Sequence, residues 1–205
     1  MTFWTAPPTR FYSVSLRVWV IGEELAKEGF VRELDILRRH EMLRLNSYLF
    51  ITPRDPSTIL NNPSLYDDLA SLEIISAIGQ TEYNAEYPVL DLREFYRLLE
   101  GETRNAYLPI ITTRKVDGNV VTSLEGAAII QKNKMVGELT VDETVGLNIL
   151  LNKAKGGSLT IPLSEDERES WATINIKDSI ATIKPVVKGE QVAANVEVVL
   201  KGDTR

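Results

Sequence analysis

Ser13-Val-Ser-Leu-Arg-Val-Trp-Val-Ile-Gly22 alternates in the period of a half-buried strand, and Leu45-Asn-Ser-Tyr-Leu-Phe-Ile-Thr52 is a second strand-like run closed by Pro53. In the first run Val14, Leu16, Val18 and Val20 share one side, Ser13, Ser15 and Arg17 the other, and Trp19 packs on that second face. Between the two runs, Leu25, Phe30, Val31, Leu34 and Leu37 are spaced for helix but interrupted by Gly29, which predicts two short helices over 23–40. Strand, helices and strand form a unit whose linker is long enough for a parallel crossover, so the first third of the chain is α/β.

Outward from this unit, Asp55-Pro56-Ser57 is a helix start, because proline at the first helical position wastes no hydrogen bond, and Pro63 opens a second segment in the same way. Leu65, Leu69, Leu72, Ile75 and Ile78 then form one helical stripe. Asp91 caps another helix, with Glu94 three positions on as in a capping box, Gly101 at its end and Leu92, Phe95, Tyr96 and Leu99 as its buried face. From Ala106 the period shortens. Tyr107–Val116, the turn Asp117-Gly118 and Asn119–Ser123 predict a hairpin, and Gly126–Gln131 with Met135–Leu139 a second, around Lys132-Asn-Lys134. Thr140 and Glu143 head a helix to about Leu151, with Lys153 and Lys155 near its carbonyl end. After Gly156-Gly157, alternating runs near Leu159–Leu163, Trp171–Ile176, Ser179–Val187 and Gln191–Leu200 predict an antiparallel meander. The expected fold class is mixed α/β, or α+β, with small mixed sheets and flanking helices. Its expected divisions are an α/β unit over 1–100, hairpins plus a helix over 101–155, and the β-rich start of a third domain over 156–205.

The chain has 205 residues, with 43% hydrophobic and 25% charged side chains, which excludes a disordered or fibrous reading. Acidic residues outnumber basic ones 29 to 23, for a charge of -6, so there is no basic surplus for condensing on phosphate backbones, and nucleic acid is not an expected partner. Cysteine is absent, which removes disulfides, thiolate metal sites and cysteine nucleophiles, and a single histidine, His40, bounds all imidazole chemistry. Beside Arg38, Arg39 and Glu41 at a predicted helix end, His40 reads as a cation favouring the helix dipole rather than a general base. The run Glu165, Asp166, Glu167 and Glu169 lacks the glycine turn and alternate ligands of a calcium loop and reads as a solvated turn. Trp4, Trp19 and Trp171 read as core or rim packing. No phosphate loop or nucleophile elbow is present, so no catalytic residue, metal or cofactor is expected. The Met-Thr-Phe-Trp start carries no basic leader with an apolar run.

Two longer stretches are more specific. Leu16-Arg-Val-Trp-Val-Ile-Gly-Glu-Glu-Leu-Ala-Lys-Glu-Gly29, with the helix ending Leu37-Arg-Arg-His-Glu-Met-Leu-Arg-Leu-Asn46, resembles the C subunits of bacterial spore germinant receptors, the Ger(x)C lipoproteins. Glu125-Gly-Ala-Ala-Ile-Ile-Gln-Lys-Asn-Lys-Met-Val-Gly-Glu-Leu139, followed by Thr144-Val-Gly-Leu-Asn-Ile-Leu150, resembles that family's central hairpin and following helix. The meander around Ile176–Pro185 fits the start of its last domain. The sequence departs from the family pattern near Ile130, where an aromatic residue is usual, and near His40, where an acidic one is. The resemblance implies a central fragment of a non-enzymatic lipoprotein, tethered to the outer face of the inner spore membrane through a lipid anchor absent from this stretch. It would work beside the integral membrane A and B subunits of a nutrient germinant receptor, in assembly or signal transmission.

Within the better-matching motif, Arg39, Arg44 and Asn46 flank a helix-to-strand turn and are the candidate interaction residues; the structural alternative is that such arginines cap carbonyls or pair with a carboxylate. Two other classes stay open. A small-molecule-binding module outside the cytoplasm needs a cleft with Trp or Tyr and a few convergent polar groups, and a hydrolase needs carboxylates facing each other across a cleft. If the divisions above are correct, limited proteolysis cuts first near Gly101–Arg104 or Gly156-Gly157; a chain trimmed only at its termini rejects them.

Overall fold

The computed structural model describes residues 17–39, 44–62, 70–79, 85–162, 171–189 and 191–204. The expectations placed on residues 13–16, Trp4, His40, the helix start at Pro63 and the acidic run Glu165–Glu169 lie outside the described residues.

The crossover read from the sequence is present. Strand β1 (Val18–Gly22) leads into α1 (Glu23–Glu28) and α2 (Val31–Arg39), and β2 (Tyr48–Thr52) returns parallel to β1, with Val20 opposite Phe50. Gly29 separates the two helices, and the amide of Phe30 donates to the Asn133 carbonyl at 3.3 Å, which docks the break on a distant turn. Contrary to the periodic reading, Leu25 is exposed and Ala26 is the buried residue of α1. A six-residue helix presents too little surface for a full stripe.

Helices α3 (Pro56–Leu60), α4 (Ala70–Gly79) and α5 (Leu92–Glu100) connect β2 to β3 (Asn105–Val116). Asp55 caps α3 through the Ser57 amide and Asp91 caps α5 through the Glu94 amide, both at 2.8 Å. β3 turns at Asp117-Gly118, both at positive φ as a type I′ hairpin requires, into β4 (Asn119–Gln131), which pairs in turn with β5 (Lys134–Leu139). The order is β1-β2-β3-β4-β5, parallel on one side of β3 and antiparallel on the other. Helix α6 (Val141–Leu150) follows with its full capping box between Thr140 and Glu143. A separate three-stranded antiparallel sheet, β6-β7-β8 (Ser158–Pro162, Trp171–Lys188, Gln191–Thr204), is the expected meander, with the two central runs fused into the single long strand β7.

Each face of the five-stranded sheet carries a buried cluster. Leu49, Ile51, Leu108 and Ile130 join Phe30, Leu34, Phe95 and Leu99 on the side of α1, α2 and α5; Phe50, Ile111 and Leu124 join Ile59, Ile74 and Ile78 on the side of α3 and α4. Trp19 packs against the first core and its neighbours Val18 and Val20 against the second, as the alternation requires. Burying Leu92, Phe95, Tyr96 and Leu99 at about 1.5–3 kcal/mol each is what holds α5 down. Phe95 stacks on Phe30 with ring centroids 5.9 Å apart.

The sequence suggested one strand ending at Ser123 and another beginning at Gly126, whereas β4 runs continuously from Asn119 to Gln131 with a bulge at Glu125 and Gly126. Pro109 faces Ala127 and Ile111 faces Leu124, so Glu125 and Gly126 oppose Ile110 alone. Pro109 lacks an amide to give the ladder, and Ile110 instead pairs with Ile51 of β2. Gly126 has φ +71°, a Cβ there would meet the Leu139 carbonyl oxygen, and its amide donates to the Glu86 carbonyl at 3.0 Å. Gly146 of α6 is the contrast, with open space where a Cβ would stand. Denaturant unfolding should therefore show Gly126→Ala costing on the order of 1–3 kcal/mol, and Gly146→Ala adding about 0.5–1 kcal/mol.

Candidate functional site

The polar groups that converge most closely lie where α6 meets the segment before α5. Asn148 is 3% exposed, and its Nδ2 donates to the carbonyls of Ala85 at 2.8 Å and Tyr87 at 3.2 Å. Its own backbone carbonyl accepts the amides of Lys153 and Ala154 and so turns the chain out of the helix. A buried amide is an economical clamp because two carbonyls that would otherwise be desolvated without donors are satisfied by one side chain. Among the described residues Oδ1 of Asn148 has no partner.

One turn further, Lys153 reaches back to Glu94 on α5 at 2.6 Å and stands 5.5 Å from the centre of the Tyr107 ring. Burial pulls the ammonium down, but the pairing with Glu94 and Tyr107 outweighs it and holds Lys153 above its ordinary range. The sequence reading placed Glu94 in a capping box and Lys153 at a helix dipole. In the structure Asp91 supplies its half of the box, while the Glu94 carboxylate takes Lys153 across 59 residues. Nothing local distinguishes that partner from a solvated lysine, since the pairing exists only once α6 lies beside α5.

The same junction receives the three-stranded sheet. Asn152, at φ 58°, accepts the Ala181 amide on its side chain, Ser179 Oγ donates to the Ala154 carbonyl at 3.1 Å, and the Ile176 amide donates to the Gly157 carbonyl. Ile176, Leu159 and Leu200 close over Ile149, Ala154 and Ala85 as a third core.

Arg39, Arg44 and Asn46 are exposed. Arg39 pairs with Asp35 one helical turn back at 3.2 Å. Arg44 and Asn46 sit on the turn entering β2, whose backbone is fixed by Ser47 donating to the Arg44 carbonyl and by Arg93 donating to that of Leu45. Among the described residues, no hydrogen bond or ion pair brings Arg39 together with the other two.

A cavity of about 350 Å³ opens between α4 and β4, lined among others by Tyr87, Arg114, Ser123, Glu86 and Glu125. The Tyr87 hydroxyl is committed to the Ala77 carbonyl at 2.9 Å, and burial raises its pKa. Among the described residues no group of three or more His, Cys, Asp and Glu could hold a metal ion, and no helix is long and apolar enough to cross a membrane.

Comparison with known proteins matches residues 8–113 to the spore germination protein N-terminal domain and residues 125–205 to the spore germination B3/GerAC-like C-terminal family. Spore germination protein B3 of Bacillus subtilis strain 168 is 28% identical over 201 residues, covering 96% of this chain and 51% of its own length. Spore germination protein GerQC of Bacillus cereus is 29% identical over 164 residues, covering 79% and 44%. The chain thus spans about half the length of the curated relatives it matches. The crystal structure of the GerBC protein shares the fold with a TM-score of 0.67 over 98% of this chain and 56% of that one, at 23% identity.

Asn148 gives this junction a measurable signature. Asn148→Ala strips both carbonyls of their donor and should lower the unfolding free energy by about 1–3 kcal/mol, read by urea denaturation; an unchanged midpoint removes the clamp from the account.

Proposed function

The chain belongs to the spore germination B3/GerAC-like family, and from that premise we propose that it is part of a non-enzymatic subunit of a nutrient germinant receptor. In this reading the full-length protein is a lipoprotein on the outer face of the inner spore membrane. It acts beside the integral membrane A and B subunits in assembly or signal transmission. The observation that supports it is the junction. Asn148, Gly126 and Lys153, all in the region matched to the C-terminal family, are bonded to Ala85, Glu86 and Glu94 in the region matched to the N-terminal domain. Two regions clamped through buried polar contacts move as one, which suits a module that passes a displacement along rather than one that closes on a substrate. A lipid chain alone gives marginal retention, so contact with membrane-embedded partners adds residence through effective concentration. The three-part division at about residues 100 and 155 belongs to the same proposal.

Arg39, Arg44 and Asn46 are the proposed partner-facing groups. Of these, Arg44 and Asn46 combine exposure with a fixed backbone and so present planar donors at low entropic cost. A second reading, a small-molecule-binding module outside the cytoplasm, has the cavity beside Tyr87 and Arg114 in its favour. A solute that raises the melting temperature saturably, with the rise lost in Arg114→Ala, would select it.

The direct test replaces the matched region of spore germination protein B3 with residues 1–205 in a Bacillus subtilis strain lacking that protein. Germination, followed by the fall in optical density of spore suspensions, should recover, and Arg44→Ala in the chimera should reduce recovery without moving the melting temperature of the 205-residue chain. A chimera that accumulates normally yet restores nothing rejects the receptor reading; a lowered melting temperature assigns Arg44 to folding.

A further inference from the structure

Strand β4 is paired unevenly along its outer edge. β5 takes that edge only from Ala127 to Gln131, so from Asn119 to Gly126 no strand lies beside it among the described residues. The two-residue loop at Asp117-Gly118 is closed by Val116 and Asn119, which fixes the phase of the hairpin. Asn119, Val121 and Ser123 turn their backbone groups inward to β3, and Val120, Thr122 and Leu124 turn theirs outward. Two bonds agree with that phase. The Val120 carbonyl accepts the Asn62 side chain at 3.2 Å, and the Gly126 amide, two residues past Leu124, donates to the Glu86 carbonyl at 3.0 Å. Between these plugs the outward N–H and C=O of Thr122 and Leu124 have no partner among the described residues, and both residues line the cavity between α4 and β4.

Unpaired backbone groups along a partly enclosed edge form a ready ladder for one more strand. Leu124 packs with Ile74 and Tyr87, so the side of this edge towards α4 is apolar. Its ends are charged. Arg114, opposite Val121, lines the cavity at one end and Glu125 at the other, and neither forms an ion pair or a side-chain hydrogen bond among the described residues. Thr122 to Glu125 is roughly 10 Å of strand, the length of about three extended residues. That length selects the occupant. A continuous protein segment laid along the edge would run into Asn62 at one end and the backbone of Glu86 at the other, whereas a free tripeptide ends inside them.

We propose that this slot binds a short peptide of about three residues with free termini, added antiparallel to β4. In that direction its carboxylate lies by Arg114 and its ammonium by Glu125. The first residue sits opposite Leu124, its ammonium donating to the Leu124 carbonyl and its carbonyl accepting the Leu124 amide. The third sits opposite Thr122, its amide donating to the Thr122 carbonyl and its terminal carboxylate accepting the Thr122 amide. Opposed residues share a face of the sheet, so the first and third side chains point with Leu124 towards Ile74 and Ala77, where small apolar groups fit. The proposal rests on the second reading above, whose cavity it fills, and assumes nothing about receptor membership.

Trialanine is the probe, titrated into the 205-residue chain and followed by calorimetry and by the melting temperature. Saturable binding that raises the melting temperature is expected. Arg114→Ala and Glu125→Gln should each weaken it by about tenfold or more, the size of a lost charge-assisted hydrogen bond. Two N-methylated trialanines test the ladder on the unaltered chain, and so decide even where a variant folds poorly. Methylation of the third amide, which the Thr122 carbonyl needs, should abolish binding, while methylation of the second, which points away from β4, should leave it largely intact. Trialanine that does not bind, or that loses binding alike with either methyl group, overturns the proposal. So does equal binding of N-acetyl-trialanine amide, which would make the occupant an internal segment of a protein. Alanine binding through Arg114 where trialanine fails would also overturn it, yet would leave the small-molecule reading standing.

Discussion

Asn148 is the residue on which the arrangement turns. Its side-chain amide holds Ala85 and Tyr87, and its backbone carbonyl collects the amides of Lys153 and Ala154. A single buried residue thus terminates α6, fixes the segment that feeds α5 and points the chain towards β6. Apolar packing alone would leave the azimuth of α6 loosely set, because the hydrophobic effect has no direction. Hydrogen bonds to two named carbonyls specify one orientation. Lys153 with Glu94, Asn152 with Ala181 and Ser179 with Ala154 then form around a helix already in place.

The five-stranded sheet depends on β3, which pairs with β4 along both of its halves and meets β2 at Ile110. Its first half lies antiparallel to the end of β4, and at Ile110 it also meets β2 in parallel. Proline at 109 and the two-for-one bulge at Glu125 and Gly126 fall together, where a regular ladder would demand donors that Pro109 lacks. The bulge then lets the Gly126 amide reach the carbonyl of Glu86, which lies between the Ala85 and Tyr87 carbonyls that Asn148 holds, and so the sheet irregularity and the clamp act on the same stretch of chain.

The β7–β8 ribbon and the buried junction share one element. β7 is pinned at Ser179 by the Ala154 carbonyl and at Ala181 by the Asn152 side chain, both from the turn after α6, and beyond that point it carries exposed apolar residues with no described residue over them. The cover stops where α6 and its following turn stop.

Much of this was legible in the chain itself. The parallel crossover, the caps at Asp55, Asp91 and Thr140, the buried face of α5, the Asp117-Gly118 hairpin and the antiparallel meander all follow from local rules, in which hydrophobic period, capping chemistry and turn stereochemistry involve residues a few positions apart. What the sequence could not assign is the partner of a group with several local options. Glu94 was equally suited to a cap and to a lysine 59 residues away, Asn148 looked like any polar residue of a helix, and Gly126 looked like the start of a strand rather than the middle of one. Arg39 illustrates the converse, since its pairing with Asp35 lies one turn away and was among the alternatives from the start. Most of the secondary structure is decided by neighbours in sequence, and that part the sequence alone determined. The clamp, the bulge and the exposed ribbon are decided by which surfaces meet, and only the tertiary structure, by bringing distant groups within hydrogen-bonding distance and leaving others uncovered, could settle them.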